Sequence, residues 1–471
     1  MMHAMPLKTL KMTRRCRLSA AFFVSLALAA CASAQTTPLE RIERTLGPHL
    51  DAADPFGLPM KVRALAAGEY KFWRGSKDLY FDWCKSNCRD WLGDEGAFVV
   101  GHGDLHLGNI GTYLSDESLT GGAIGKPVLG FGMVDFDDSA RVPFQTELLQ
   151  GLITMRLIAR ENAIDWTPKL SADVTSALVE KYRFAINARS NAARLLDGDA
   201  DVAKLLAKAA GGAYGDEVAA FSEGGKLRER VVNKKGKTTD LLRRFDASRR
   251  TAVAAALAEA AANDERLARL LGTRSATDLV PRVKDAAVRT RIESSGSQGL
   301  AKILVLVGPP QGGAGGELLV YLKQQVPAAA ERSGAVPHDP RSPGERCARD
   351  ADALVDPPLA ANSWCMLEGK SFWAGVKEPW SDELSTAAIR SESDLLRAAA
   401  LWGSVAGAAH RTGGAFDRVR PRLTEALAAD LTARADAYVA EQARQFESFK
   451  ADPRVRAMIV AADAAIRASQ Q

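Results

Sequence analysis

An excess of charge of either sign is absent from this chain once its first residues are set aside. The formal net charge is +5, and the five positive charges before residue 35 (Lys8, Lys11, Arg14, Arg15 and Arg17) account for all of it. The remainder is neutral, so the basic isoelectric point implies no nucleic-acid partner. The one stretch rich in arginine, 228 to 244, mixes both signs as a solvated helix surface does. Long apolar runs are also missing. Leu18 to Ala30 is too short for a comfortable membrane span, and no later segment is long enough. Its basic flank and the small-residue site Ala32-Ser33-Ala34 instead predict a secretory signal over residues 1 to 34. Leu28-Ala29-Ala30-Cys31 also fits a lipoprotein signal, with Cys31 as the lipid anchor, and Arg14-Arg15 leaves a twin-arginine route open. The expected location is periplasmic or exported, with membrane anchoring at Cys31 as the variant.

Cysteine is scarce. Only Cys84, Cys88, Cys347 and Cys365 follow the signal, at spacings that match no common zinc module. In an exported protein an even count favours two disulfides, most simply Cys84 with Cys88 and Cys347 with Cys365; free buried thiols come second and zinc last. A Walker-type phosphate loop is lacking too, because no Lys-Ser/Thr follows the glycines between Gly308 and Gly316.

What is present is a pair of acidic motifs. His102-Gly103-Asp104-Leu105-His106-Leu107-Gly108-Asn109 follows the apolar run Ala97 to Val100, and Val134-Asp135-Phe136-Asp137-Asp138 continues a second apolar strand at Met133. An Asp followed five residues on by Asn, and then a strand-borne Asp, is what phosphoryl transfer from a metal-nucleotide needs. One carboxylate orients the acceptor hydroxyl, while an amide oxygen and a second carboxylate hold Mg²⁺ on the phosphates. A single loop aspartate capping a turn would need none of this; the whole constellation is what carries the signal.

These residues resemble the catalytic and metal-binding motifs of aminoglycoside phosphotransferases and other small-molecule kinases of the protein-kinase-like superfamily. More closely, the chain resembles the bacterial family called domain of unknown function 2252, over most of residues 50 to 415. The likeness includes Phe72-Trp73-Arg74-Gly75, Gly103 to Gly111, Asp135 to Phe144, Gly296-Ser297-Gln298-Gly299 and Ala408-Ala409-His410-Arg411. It implies Asp104 as catalytic base and Asn109 and Asp135 as metal ligands. Two departures stand out: a Gly-rich insertion around Ser115 to Lys126, and Glu147-Leu148 where aminoglycoside kinases open the next helix with Asp-Leu.

The rest of the chain supplies a second half. Residues 38 to 95 read as helix and loop with an aromatic cluster, in which Arg74 could reach a phosphate. Thr146 to Ala163 reads as a helix, and Leu170 to about Ala276 as an Ala/Leu-rich helical block. Strand character returns at Arg289 to Glu293, followed by the turn Gly296 to Gly299, then Leu300 to Val307, then a strand ending in Lys323. Strand, glycine turn, strand and strand-borne lysine is the layout of a kinase nucleotide-binding lobe, with Gly296, Ser297 and Gly299 covering phosphates and Lys323 neutralising them. Its expected carboxylate partner is not evident; Glu331 and Glu345 are candidates. Trp364 to Leu367 and Ser371 to Val376 read as a strand pair, and the chain beyond Asp382 as helices. The expected fold is therefore α+β and protein-kinase-like, two-lobed and circularly permuted, with a large helical portion. Its parts are a signal (1 to 34), a catalytic region (35 to 280), a nucleotide-binding sheet region (281 to 380) and a helical C-terminal region (381 to 471).

Two functions compete on these residues. A phosphotransferase would use Asp104 as base and His106 as brace or catalytic partner. Asn109, Asp135 and Asp137 would hold Mg²⁺, ATP or another nucleotide would be the donor, and a small molecule or protein hydroxyl the acceptor. A periplasm has no ATP pool, so either the donor is unusual, the protein acts before export, or residues 1 to 34 are not a signal. A metal-dependent hydrolase would instead build on His102, Asp104 and His106, with Asp135, Asp137 and His410 completing the centre; that reading leaves Asn109, the glycine turn and Lys323 without a role. A kinase-like binding protein without turnover is the third possibility.

Overall fold

The computed structural model describes residues 36–50, 56–188, 191–192, 196, 198–233, 235–292, 297–310 and 316–470. The expected signal, Cys31 and Gly296 lie outside them. The fold is mixed α+β. The elements that matter below are helices α1 (Glu69–Gly75), α2 (Lys77–Asn87), α3 (Phe144–Glu161), α4 (Pro168–Asn187), α5 (Ala247–Asn263), α6 (Pro343–Leu354), α7 (Glu392–Thr412) and α8 (Ala426–Ala451). The strands are β1 (Phe98–Gly101), β2 (Ile110–Leu114), β3 (Leu129–Met133), β4 (Ala140–Pro143), β5 (Arg230–Val232), β6 (Thr238–Arg244), β7 (Val283–Arg291), β8 (Lys302–Val307), β9 (Leu318–Gln324), β10 (Ser363–Leu367) and β11 (Lys370–Val376).

Helix starts follow local capping chemistry. Thr167 accepts the Leu170 N–H ahead of Pro168, Asp246 accepts Arg249, Ser342 accepts Glu345 ahead of Pro343, and Ser391 accepts Asp394. Helices α3, α4, α7 and α8 share the largest apolar core, with the aromatics Trp73, Tyr80, Tyr182, Trp402 and Tyr438 inside it. Where α7 crosses α4, a Cβ on Gly403 would lie 2.2 Å from the Leu178 carbonyl oxygen, so this crossing needs residues without side chains. The motif strands are short: β1 pairs antiparallel with β4, and β2 with β3.

Seven strands form one antiparallel sheet in the order β10-β11-β9-β8-β7-β6-β5. Its centre is the continuously buried run Lys302–Val307, and α5 packs a second apolar core against one face. The sheet takes β5, β6 and α5 from residues 230 to 263, inside the stretch whose Ala/Leu content reads as purely helical. Thr238–Arg244 shows no helical stripe, because its apolar residues are held by the neighbouring strand and not by their own periodicity. Among the described residues no helix is long and apolar enough to cross a membrane.

The disulfide expectation is corrected: Cys84, Cys88, Cys347 and Cys365 are all unbridged and buried. Cys347 belongs to the helical core and Cys365 to the core under the sheet, so the two thiols face different interiors. Cys84 and Cys88 lie one helical turn apart within the aromatic core. Burial pushes the Cys84 and Cys347 thiols well up and Cys365 up to about 12, which keeps them protonated.

Candidate functional site

Strand β1 ends at Gly101, and the chain turns into the loop that carries Asp104. Gly103 holds φ at +74°, and a Cβ there would lie 1.9 Å from the Asp138 carbonyl oxygen. The two motif loops thus pass backbone against backbone, which only glycine permits. Gly103→Ala is expected to cost roughly 3 kcal/mol of stability, seen as a lower denaturation midpoint; an unchanged midpoint would contradict this packing.

Glu147 on α3 holds that loop from beneath. Its Oε1 accepts the Gly103 N–H at 2.8 Å, and its Oε2 lies 2.8 Å from His410 Nε2, whose Nδ1 meets the Tyr182 hydroxyl at 2.8 Å. All three side chains are fully buried. Burial alone would raise the Glu147 carboxyl, but the hydrogen bond from His410 prevails and lowers it. His410 is therefore a brace beneath the loop, and Glu147, the departure from Asp, is the group that reaches the loop backbone.

Asp104 stands at the loop's apex, with Oδ1 3.3 Å from Lys77 Nζ and Oδ2 3.8 Å from His106 Nε2. The Lys77 ammonium sits 3.1 Å from the centre of the Trp73 ring. Burial pushes the Asp104 carboxyl up to about 6 against the pull of Lys77, and brings Lys77 itself down to about 8. His106 Nε2 accepts from Arg74 Nε at 3.0 Å, and burial with this guanidinium beside it holds the imidazole pKa well below its ordinary range. His106 is a neutral brace that commits Arg74. Asn109 Nδ2 donates to the Asp104 carbonyl at 2.9 Å, leaving the amide oxygen as its group for a ligand.

The second motif leaves β3 with Asp135 at φ +67°, a conformation that costs energy for a non-glycine residue. The Lys323 ammonium on β9 contacts Asp135 and lies 2.5 Å from Asp137 Oδ2. Partial desolvation opposes it, yet Lys323 draws the half-exposed Asp135 carboxyl down to about 2; desolvation of the partly buried Asp137 and the charge of Asp135 beside it push the Asp137 carboxyl up. Lys323 itself is raised, its two carboxylates outweighing burial. Gln325 Nε2 donates to Asp137 Oδ1 at 2.7 Å. Arg346 on α6, 1% exposed, donates to the Asp137 carbonyl at 2.7 Å, the Ser139 hydroxyl at 3.0 Å and the Val326 carbonyl at 3.2 Å, stitching the acidic loop to the end of β9. Glu331 and Glu345 are not the partners of Lys323: Glu331 takes His338 Nδ1 at 3.0 Å, and Glu345 lies in the first turn of α6.

A cleft of about 1140 Å³ collects these groups. Arg74, Asp104, His106, Asn109, Asp135, Asp137, Ser297 and Lys323 all line it. Gly299 does not join them. It holds φ at +90° against Leu50 and Gly57, so it shapes the turn from behind. His102 is also turned away, its Nε2 2.8 Å from the Val134 carbonyl. Lys77, Lys302, Gln325 and Arg346 were not legible as site residues. Gln325, two residues past Lys323 on the same strand face, was the only one with a local cue.

Three buried lysines give the ligand-free protein an expected pH dependence. Burial depresses Lys61 and Lys77 to about 8 and Lys302 to about 7 from an ordinary 10.5. Above those values the unfolded chain binds more protons than the folded one, so stability rises with pH. A urea midpoint that climbs between about pH 7 and 8.5 is expected; a flat or falling one would mean these ammonium groups are solvated.

The chain belongs to a bacterial family described as "Uncharacterized protein conserved in bacteria (DUF2252)", which it matches over residues 53–452. No curated protein and no solved structure matches it.

Proposed function

We propose that the protein is a kinase-like phosphotransferase that moves a phosphoryl group from a Mg²⁺-nucleotide to a hydroxyl acceptor. The observation that carries this reading is the meeting of Lys323 with Asp135, 188 residues apart, in a cleft that also presents Asp104 and Asn109. The sheet half with Lys323 follows the half with Asp104 in sequence, which is why the reading includes a circularly permuted two-lobed fold. Asp104, ionised above about pH 6, would orient the acceptor hydroxyl and take its proton, with Lys77 favouring the charged form. Among the described residues no three His, Cys, Asp or Glu side chains are grouped to hold a metal by themselves. The cation would therefore draw its hard oxygen ligands from Asp135, Asp137 and the Asn109 amide, which line the same cleft, together with the phosphates. When bound there, the cation would neutralise charge on the phosphates. Lys323 would bind those phosphates directly.

The hydrolase reading draws less support from the same geometry. Its histidines do not converge: His102 is bonded to a backbone carbonyl, His106 to Arg74, and His410 to Glu147 and Tyr182. If the expected export signal operates, either the donor is one present outside the cytoplasm or the protein acts before export. Thermal melts with nucleotide, with and without Mg²⁺, test the proposal. Mg²⁺-dependent stabilisation is expected, and its absence across nucleotides would remove the donor assignment.

A further inference from the structure

The sheet carries a row of cations, of which the reading above employs only one. Lys302 on β8 pairs directly with Lys323 on β9. One step past the Val288–Ile303 pair, Arg289 on β7 stands beside Lys302. Directly opposed residues share a sheet face, so the three cations form a line two interstrand spacings long, about 10 Å. All three line the cleft.

Their counter-charges are uneven. Arg289 Nε lies 2.8 Å from Asp240 Oδ1, and Lys323 has Asp135 and Asp137. Lys302 is 4% exposed and donates to the Ser297 carbonyl at 3.0 Å, with no carboxylate in ion-pair contact among the described residues. A buried ammonium without a counter-charge is unfavourable, and a second lysine directly opposite makes it more so. Such an arrangement suits a site that an anion completes. One phosphate would meet one cation of the row, whereas a chain of phosphates would meet them in turn.

We propose that Lys302 is a second phosphate-binding lysine and that the row Lys323–Lys302–Arg289 takes a linear oligophosphate of three or more phosphates. The inference deepens the phosphotransferase reading and rests on it for placing the donor in this cleft. It assigns donor affinity to the phosphate chain, so a donor lacking a nucleoside belongs to the same chemical class.

Calorimetric titration of the full chain with inorganic triphosphate, pyrophosphate and phosphate tests it. Affinity is expected to fall in that order. Lys302→Met is expected to weaken triphosphate binding about ten- to a hundredfold, while Lys302→Arg stays within a few-fold of the parent. The Lys302→Met protein should melt at the same or a higher temperature, because an unpaired buried charge is gone; that separates lost binding from lost folding. Triphosphate that binds Lys302→Met as it binds the parent, or fails to bind the parent, overturns the proposal. A lower melting temperature for Lys302→Met overturns it as well. The two readings fail differently. If Mg²⁺-nucleotide leaves the parent unshifted while triphosphate binds and Lys302→Met loses it, phosphotransfer from nucleotide falls. If nucleotide binds parent and Lys302→Met alike, the oligophosphate row falls and phosphotransfer stands.

Discussion

Asp135→Asn is expected to weaken Mg²⁺-dependent nucleotide binding more than ~100-fold, a loss at least as large as that for groups that only support a metal ligand. The substitution removes a carboxylate that Lys323 holds down at about 2. An amide keeps the shape and one acceptor oxygen but not the charge that a hard cation requires. The fold should survive, because Lys323 retains Asp137 at 2.5 Å and Arg346 still ties the loop through the Asp137 and Ser139 backbone. Titrating nucleotide into the variant with and without Mg²⁺ provides the measurement. Binding that stays Mg²⁺-dependent and within a few-fold of the parent would end the role of Asp135 as a ligand.

Asp104→Asn is expected to do the reverse, preserving nucleotide affinity and slowing turnover by ~10²–10⁴-fold, the usual size of a lost general base. Asp104 lies against Lys77 and His106, and among the described residues no ion pair joins it to Lys323; of the acidic loop, it is Asp138 that stands near enough to push its carboxyl up. On the phosphotransferase reading its role would be toward the acceptor and not toward the phosphates. Phosphate release from bound nucleotide, with water standing in for the acceptor, gives a readout before the acceptor is known. The parent rate should also fall as pH drops below about 6, where the Asp104 carboxyl takes up its proton. If both Asp variants lose metal equally, the histidine-based hydrolase becomes the better account.

Particular residues show how far the sequence could be read. Asp104, Asp135 and Asp137 were legible because a short apolar strand precedes each motif, where a loop presents polar groups at a strand end, and Asn109 by its spacing five residues after Asp104. Lys323 was legible as the end of a strand, but not its partners. Glu331 and Glu345 were the candidates, and the acidic loop takes that place because Lys323, near the end of β9, meets Asp135 and Asp137. His410 could be read equally as a site residue or as a cation at a helix end; the crossing of α7 over α4 put it between Tyr182 and Glu147. Arg346 gave no signal, since a lone arginine in a capped helix is ordinarily solvated.

By itself, the sequence determined the local matters: the capping residues where helices begin, the apolar runs that become the strands beside the motifs, which loops carry acid, and resemblance to the family. These depend on residues a few positions apart, through capping bonds, side-chain periodicity and the freedom of glycine. The tertiary structure alone decided which distant residues meet. The cation row depends on the register of β7, β8 and β9, and a slip of one residue would turn Lys302 to the other face. The unbridged cysteines depend on which core each strand or helix faces, and the requirement for Gly103 on how closely the Asp138 backbone passes it. Register and close approach are set by the packing of whole buried surfaces, and no window of neighbouring residues contains that information.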